Sequence, residues 1–437
     1  MSDAGERSGT DGAERQLGAE EKCALLLEIS RRSAGTLDLA RTLDLLLDAV
    51  ATVVDYDAAG IFALNADLYP ERSRPRGVIA GVARRGFRER PLDEDAMLSG
   101  GRGLVGHAIR SGQTVRVPDV RLDPRYVVGR EETLSEVAVP IAVGGRTIAA
   151  LDVESDRLAA FGEREVASLE FFAEAAALAI EKALLHRHLL AAGQLETQLR
   201  IAREVQDGLL PAAAPELPGY DLAGRCLPSL ELAGDYFDFL SCADGRLGLV
   251  IADVAGKGVP AALIMATFRA LLRSRDEPGD RLAETVAAVG RLLRESAAPR
   301  AFVTCCYAVL EPRSGRLAYA SCGHPLGLLA RAGGGIEELE NCGPALGVFA
   351  DALHVEREVV LAPGDRLLLY TDGLVEAANA VGEQLGGERL RALLAEGRGL
   401  TAAALIDRLV ARVRGFVASP QLADDLTLLV LQRAAAG

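Results

Sequence analysis

The sequence predicts an α+β protein in two folded parts: a sheet with flanking helices over residues 21–185, and a two-sheet sandwich with helices outside over residues 216–437. Three observations carry this reading. The length of 437 residues suits two or three domains. Short apolar runs, separated by glycine turns, alternate with stretches of helical periodicity. Between the two parts a helical stretch, 186–215, is stopped by Pro211 and Pro215, with Pro218 just beyond.

The first part opens with a helix, "ARTLDLLLDAVATVV", and a strand, "AAGIFAL". A second strand lies near "GVIAGVA", and a short helix at "GLVGHAIRSG" is ended by Gly112. Then come "TVRVPDV", "VAVPIAV" and "TIAALDVES", with Gly144 and Gly145 making a hairpin between the last two. The closing helix begins near Gly162 and carries Val166, Leu169, Phe172, Ala173, Ala176 and Ile180 at helical spacing. Arg84, Arg85, Arg88 and Arg90 read as a solvated loop, with partner docking as the other reading.

The segments "GLVGHAIRSGQTVRVPDVRLDPRY", "SEVAVPI" and "LDVES", in that order, resemble a GAF domain. The resemblance implies a six-stranded antiparallel sheet flanked by helices, over residues 21–185, and a sensor of a small molecule or of light. It names no ligand: Cys23 lies at the entry, and no cysteine stands mid-domain for tetrapyrrole attachment. The GAF ligand or upstream regulator is therefore unknown at this level.

Leu185, Leu189, Ala192, Leu195, Leu199, Ala202, Gln206 and Leu209 recur at steps of three and four, near a coiled-coil seam with one break in register. This predicts a homodimeric signalling helix; the same spacing also suits a helix packed on its own domain.

Beyond it the pattern changes to many strands: "YDLAGRCL", "YFDFLSC", "RLGLVIADV", "FVTCCYAVL", "RLAYASC", "LGLLARA", "VEREVVL", "RLLLYTD" and "LTLLVLQ". Helices are predicted over 259–274, 281–297, 387–395 and 401–416.

Bulk properties exclude several classes. Hydrophobic residues make up 49% and charged ones 25%, as in globular proteins. No apolar run is long and charge-free enough to span a bilayer, so no membrane is expected. Residues 1–20 are polar and Gly-rich, without the apolar core of a signal peptide, and read as a disordered start of a cytoplasmic protein. A net charge of −14 argues against nucleic acid as a partner. None of the seven cysteines are spaced Cys-x-x-Cys; Cys305 and Cys306 sit in an apolar run, as small buried hydrophobes in a reducing compartment. The five histidines show no metal spacing, and His324 in "SCGHPLG" reads as a turn histidine that could touch a site.

The chemistry lies at the strand ends of the second part. "LLLYTDGLVEAAN" runs an apolar strand into Asp372, where an Asp-Gly turn is the plain explanation. The same event recurs elsewhere. Asp235 precedes a strand in "ELAGDYFDF", Asp253 ends one in "GLVIADVAGKG", and Asp424 and Asp425 precede the last in "LADDLTLLV". Carboxylates gathered at one end of a sandwich repel each other and lose hydration. Hard divalent cations remove that cost, and Asp oxygens favour Mg²⁺ or Mn²⁺ over zinc. Two such ions, roughly 3.5–4 Å apart, activate a water for in-line attack on phosphorus. Gly256 and Gly258 would let the backbone come close.

"AGDYFDF", "ADVAGKGVPAAL", "YTDGLVEAAN" and "DDLTLLV" resemble the metal-dependent PPM protein phosphatases, in the bacterial branch typified by stage II sporulation protein E. "LRIAREVQDGLLP" resembles the helix before that domain in stress-response relatives. The resemblance implies an α-β-β-α sandwich over 216–437 that binds two Mn²⁺ or Mg²⁺ ions and hydrolyses phosphoserine or phosphothreonine on a protein. It implies metal binding by Asp235, Asp253, Asp372 and Asp424 and by the backbone carbonyl of Val254. Asp238 and Asp425 sit beside matched positions. Ala255 stands where the eukaryotic branch has a histidine general acid, leaving a water or Lys257 to assist, and the eukaryotic phosphate-binding arginine has no clear counterpart. By the same resemblance the substrate is a phosphorylated anti-sigma-factor antagonist of STAS type. The alternatives are a degenerate phosphatase acting as a phosphoprotein-binding scaffold, and another two-metal enzyme such as a cyclase or phosphodiesterase. Against the latter stands the lack of a Walker loop and of a His-rich metal set.

Overall fold

The computed structural model describes residues 39–64, 79–87, 102–242, 244–274, 281–296, 301–417, 419 and 421–435. The expected disordered start, Cys23, Arg88 and Arg90 lie outside the described residues. The chain divides into two compact units, 1–193 and 194–437. No helix among the described residues is long and apolar enough to cross a membrane.

In the first unit α1 (Leu39–Val50) precedes β1 (Ala58–Leu64) and β2 (Ile79–Arg85). Then follow α2 (Gly103–Ser111), β3 (Val115–Val117), β4 (Ser135–Val143) and β5 (Arg146–Ser155). The strands form one antiparallel sheet in the order β2-β1-β5-β4-β3, so five of the expected six strands stand among the described residues. The β4–β5 turn is the anticipated glycine hairpin, with φ of 59° at Gly144 and 78° at Gly145. One sheet face packs Val137, Val139, Leu151 and Val153 against α1 and the closing helix; the other packs Ala138 and Ala150 against α2. Arg84 and Arg85 lie at the end of β2 rather than in the expected loop, and Arg85 pairs with Asp44 and Asp48 of α1.

That closing helix, α3 (Glu163–Asp207), is a single run of 45 residues. Its early face buries Leu169, Phe172, Ala176 and Ile180, whereas Leu185, Leu189 and Leu195 of the predicted seam are exposed.

The second unit holds β6 (Tyr220–Leu227), β7 (Tyr236–Ser241), β8 (Leu247–Val254), α4 (Val259–Arg273) and α5 (Leu282–Ser296). It continues with β9 (Val303–Glu311), β10 (Arg316–Cys322), β11 (Leu328–Ala330), β12 (Ile336–Glu338), β13 (Arg357–Val360) and β14 (Arg366–Tyr370). α6 (Gly386–Glu396), α7 (Ala402–Phe416) and β15 (Leu426–Arg433) complete it. Two five-stranded sheets result, β13-β10-β9-β8-β7 and β12-β11-β14-β15-β6. The short β12 had no signal in the sequence: its burial is slight, and Glu337 and Glu338 break any apolar pattern.

Period-two alternation explains the layering. Leu367, Leu369, Leu429 and Leu431 join the core shared with the first sheet and with α4 and α5. Leu368, Tyr370, Leu428 and Val430 point the other way, into a core with α6 and α7. Both faces of β14 and β15 are thus buried, which is why they read as unbroken apolar runs, at about 1.5–3 kcal/mol per fully buried leucine. The order helix, sheet, sheet, helix is the α-β-β-α sandwich.

Candidate active site

Asp235 immediately precedes β7. The register Tyr236↔Ala252, carried one residue on, sets it opposite Asp253 of β8. Thr304 of β9 flanks Asp253 on the other side. In the second sheet Asp372 follows β14, opening a short 3-10 turn. The Thr371 hydroxyl ties the sheets together: it donates to Asp235 Oδ2 at 2.8 Å and accepts from the Thr427 N–H at 3.0 Å. Thr371 N–H in turn donates to Thr427 carbonyl oxygen at 3.1 Å. The ends of β7, β8, β14 and β15 are thereby joined.

The carboxyl groups feel one another. Asp235 is 1% exposed, and burial followed by the Asp253 charge raises its pKa well above the ordinary value. Burial pushes half-buried Asp253 up to about 6, with Asp372, Asp424 and Asp425 adding to the shift. Asp372 is raised by burial, then by Glu376 and Asp424. Asp424 is more open and pairs with Lys257 Nζ at 3.1 Å. Lys257 also donates to the Ala423 carbonyl at 2.6 Å, so the cation sits at the rim.

The two flanking aspartates have other work. Both oxygens of Asp425 are taken: Oδ1 accepts from Ser229 N–H at 2.7 Å and Ser229 Oγ at 2.9 Å, and Oδ2 from Gly234 N–H at 2.6 Å. It clamps the loop that delivers Asp235. The buried Asp238 is bound by Arg273 Nε and Nη2 at 2.7 and 2.9 Å and by the Tyr236 hydroxyl, so its oxygens are committed to internal bonds. His324 is buried, its Nδ1 2.9 Å from Thr304 Oγ1, and burial pushes its pKa down to about 3. It is a neutral histidine one residue removed from Asp253, as the turn reading expected.

Sequence reasoning missed several residues that position the aspartates. Thr371 and Thr427 were visible only as strand residues beside an Asp. Gln206, placed in the helical seam, instead inserts its side-chain amide at Ala233. Its Nε2 donates to the Ala233 carbonyl at 2.8 Å and its Oε1 accepts from Ala233 N–H at 2.9 Å. The end of α3 is thus pinned two residues before Asp235. Gly373 answers the Asp-Gly question: a Cβ there would lie 2.0 Å from the Asp425 carbonyl oxygen. The glycine is required by the close approach of the 372–374 turn to the 424–425 strand entry, not only by the turn. Gly234 similarly keeps clear the Val254 carbonyl, which would lie 3.2 Å from an added Cβ.

Asp235, Asp253, Asp372 and Asp424 are therefore neighbours, although no three of their carboxylates fall within 4.8 Å of one another; among the described residues Glu136, Asp152 and Glu154 of the first unit do so. Hard oxygen donors gathered in this way, with the pKa values of Asp235, Asp253 and Asp372 raised, suit divalent cations shared among them. The carboxylates and the cleared Val254 carbonyl fit such ions, and an all-oxygen set favours Mg²⁺ or Mn²⁺ over zinc.

Residues 243–434 match the Stage II sporulation protein E (SpoIIE) family, and residues 36–181 match the GAF domain family. The chain carries a GAF domain followed by a SpoIIE-type phosphatase domain. The SpoIIE match takes in Asp253, Asp372 and Asp424 and begins after Asp235. Phosphoserine phosphatase RsbU of Bacillus subtilis is 28% identical over 244 residues, 55% of this chain and 71% of that protein. Phosphoserine phosphatase RsbP of the same organism is 28% identical over 34% of this chain and 38% of its own length, so the chain spans well under half of that relative. The solved RsbU and RsbW domains of a Mycobacterium tuberculosis protein share 32% identity, covering 52% of this chain and 64% of that one, with a TM-score of 0.43.

Proposed function

We propose that the chain is a metal-dependent protein serine/threonine phosphatase controlled by its GAF domain, acting on a phosphorylated STAS-type anti-sigma-factor antagonist in a bacterial partner-switching pathway. The observation that carries the reading is the meeting of Asp235, Asp253 and Asp372 at one end of the sandwich, each with a pKa raised by burial and by neighbouring charge. The similarity to RsbU and RsbP, both phosphoserine phosphatases, supports the reaction class; the antagonist rests on analogy alone.

In this reading Asp235, Asp253, Asp372, Asp424 and the Val254 carbonyl hold two Mn²⁺ or Mg²⁺ ions. Bound there, the ions supply positive charge for the phosphoryl group and an activated water. The chain's own residues do the rest. Thr371 orients Asp235 by its hydroxyl bond, and Asp425 fixes the loop on which Asp235 rides. Lys257, at the rim beside Asp424, offsets negative charge where a phosphate would enter. With Ala255 in place of a histidine, the leaving serine oxygen takes its proton from solvent.

The proposed organisation is a GAF sensor over 21–185, a helical linker over 186–215 and a phosphatase domain over 216–437, in a cytoplasmic homodimer joined along α3. The GAF ligand or upstream regulator is to be found by screening. The central test is phosphate release from a phosphoserine-bearing STAS protein by the full chain. Release should require Mn²⁺ or Mg²⁺, stop in EDTA, and fall about a hundredfold or more in Asp253→Asn, roughly 2.7 kcal/mol of barrier. Turnover of a nucleotide instead, or no turnover with either metal, would overturn the reading.

A further inference from the structure

The sheet of the GAF unit buries three carboxylates where a core face would ordinarily carry aliphatic side chains. β4 and β5 pair Glu136 with Glu154 and Ala138 with Asp152. Directly opposed residues, and residues two apart on one strand, share a face, so all three acids point the same way. That face also carries Ala138 and Ala150, which are packed with Leu104, Val115 and Val117, and the partly buried Tyr126 lies against them. Glu136, Asp152 and Glu154 are 4%, 3% and 4% exposed. One oxygen from each lies within 4.8 Å of the other two.

Such a group is costly as it stands. Burial, then the Glu154 charge, pushes Glu136 up to about 8, and Asp152 is raised by burial and by both glutamates. Glu154 accepts a hydrogen bond from the Thr133 hydroxyl. Arg130, whose charge reaches Glu154, is itself bound by Asp156 at 2.6 and 2.9 Å. A separate observation points to a missing ligand: the Asp152 and Glu136 carboxyl groups are within hydrogen-bonding reach of each other, and the fully buried Asp152 Oδ1 has no partner outside the acidic group. Buried carboxylate oxygens are ordinarily satisfied, and an orphan inside an acidic group marks a place for a cation.

We propose that Glu136, Asp152 and Glu154 form a binding site for one small, hard divalent cation within the GAF unit. Oxygen ligands lie about 2.0–2.6 Å from Mg²⁺ or Ca²⁺, so two on opposite sides of an ion are at most roughly 5 Å apart. The spacing of the three oxygens fits within that limit. The all-oxygen set favours Ca²⁺, Mg²⁺ or Mn²⁺ over zinc or copper. The ion would give the orphaned Oδ1 a partner and cancel the mutual repulsion. This site is independent of the phosphatase reading.

Equilibrium dialysis of the full chain with Ca²⁺ and with Mn²⁺, counting bound metal, tests it. The wild type should bind one more equivalent than Asp152→Asn or Glu136→Gln. The loss should be separate from, and additive to, any equivalents lost in Asp253→Asn, so the two sites fail independently. Thermal melting gives the second reading. In EDTA both GAF variants should melt higher than the wild type, because one repelling carboxylate is gone; added Ca²⁺ should raise the wild type and leave the variants unmoved. Equal metal content in wild type and variants, or a wild-type melt that metal raises no more than theirs, overturns the proposal. If Asp152→Asn fails to fold, Glu136→Gln reads the same equivalent.

Discussion

At the scale of single residues, the candidate active site is a set of charges that the fold compresses. Asp253 has an ordinary pKa near 3.8, raised to about 6 in the folded chain without metal. The native state therefore holds its proton to higher pH than the unfolded state does. The sign follows: metal-free stability falls as pH rises from about 4 to 6, and the penalty is fully present above 6. In EDTA, Asp253→Asn should be more stable than wild type at pH 7, on the order of 1–3 kcal/mol, with the difference vanishing near pH 4. Urea melts across that range check it; a pH-independent difference would be the wrong result. Replacing Asp425 should destabilise instead, because its oxygens already accept three bonds from Ser229 and Gly234. Asp425→Asn sets an amide N–H₂ against a backbone donor and should cost about 2–3 kcal/mol. It should also raise the metal concentration needed for half-maximal activity more than it lowers the rate at saturating metal. "DDLT" in the sequence offered two adjacent carboxylates. Which one clamps a loop and which faces the site depends on where residues 229–234 lie, and that is a long-range fact.

At the scale of elements, the strands were legible because alternation and burial leave a local trace. β14 and β15 carry leucine on both faces because each face has its own core, and the Asp at each tip stands out against that background. The closing helix was legible to Ile180 for the same reason. Its far end was not: Gln206 has the spacing of a seam residue, but its amide is spent on Ala233, a contact 27 residues away in the chain. Gln206→Ala should remove two buried hydrogen bonds, costing about 2–3 kcal/mol locally. It should also reduce phosphatase activity in the full chain, with hydrogen exchange rising at residues 230–235. Unchanged exchange there would show that α3 does not hold the Asp235 loop. Gly373→Ala is the corresponding test of the turn, since a methyl group 2.0 Å from the Asp425 carbonyl must push the turn off β15. Loss of metal-dependent activity with a lower melting temperature is expected.

At the scale of the whole molecule, a 45-residue helix runs from one unit into the other, with Leu185, Leu189 and Leu195 exposed along it. These exposed apolar side chains support the proposed homodimer, in which a second copy of the same helix would cover them. The proposed homodimer should appear in light scattering of the full chain. Leu189→Glu together with Leu195→Glu should shift it to monomer at micromolar concentration, and a wild-type monomer at all concentrations would rule the dimer out.

The sequence by itself determined the two-part α+β architecture, the order of nearly every strand and helix, and the set of aspartates at strand tips. These follow from local periodicity, turn chemistry and the oddity of a charge ending an apolar run. Only the tertiary structure decided that Asp425 and Asp238 are committed to internal bonds, that Thr371 bridges the two sheets, and that Glu136, Asp152 and Glu154 share one buried face. The reason is that an acidic residue has the same local signature whether it faces a ligand, a backbone amide or another acid. What it meets is fixed by the register and packing of distant strands.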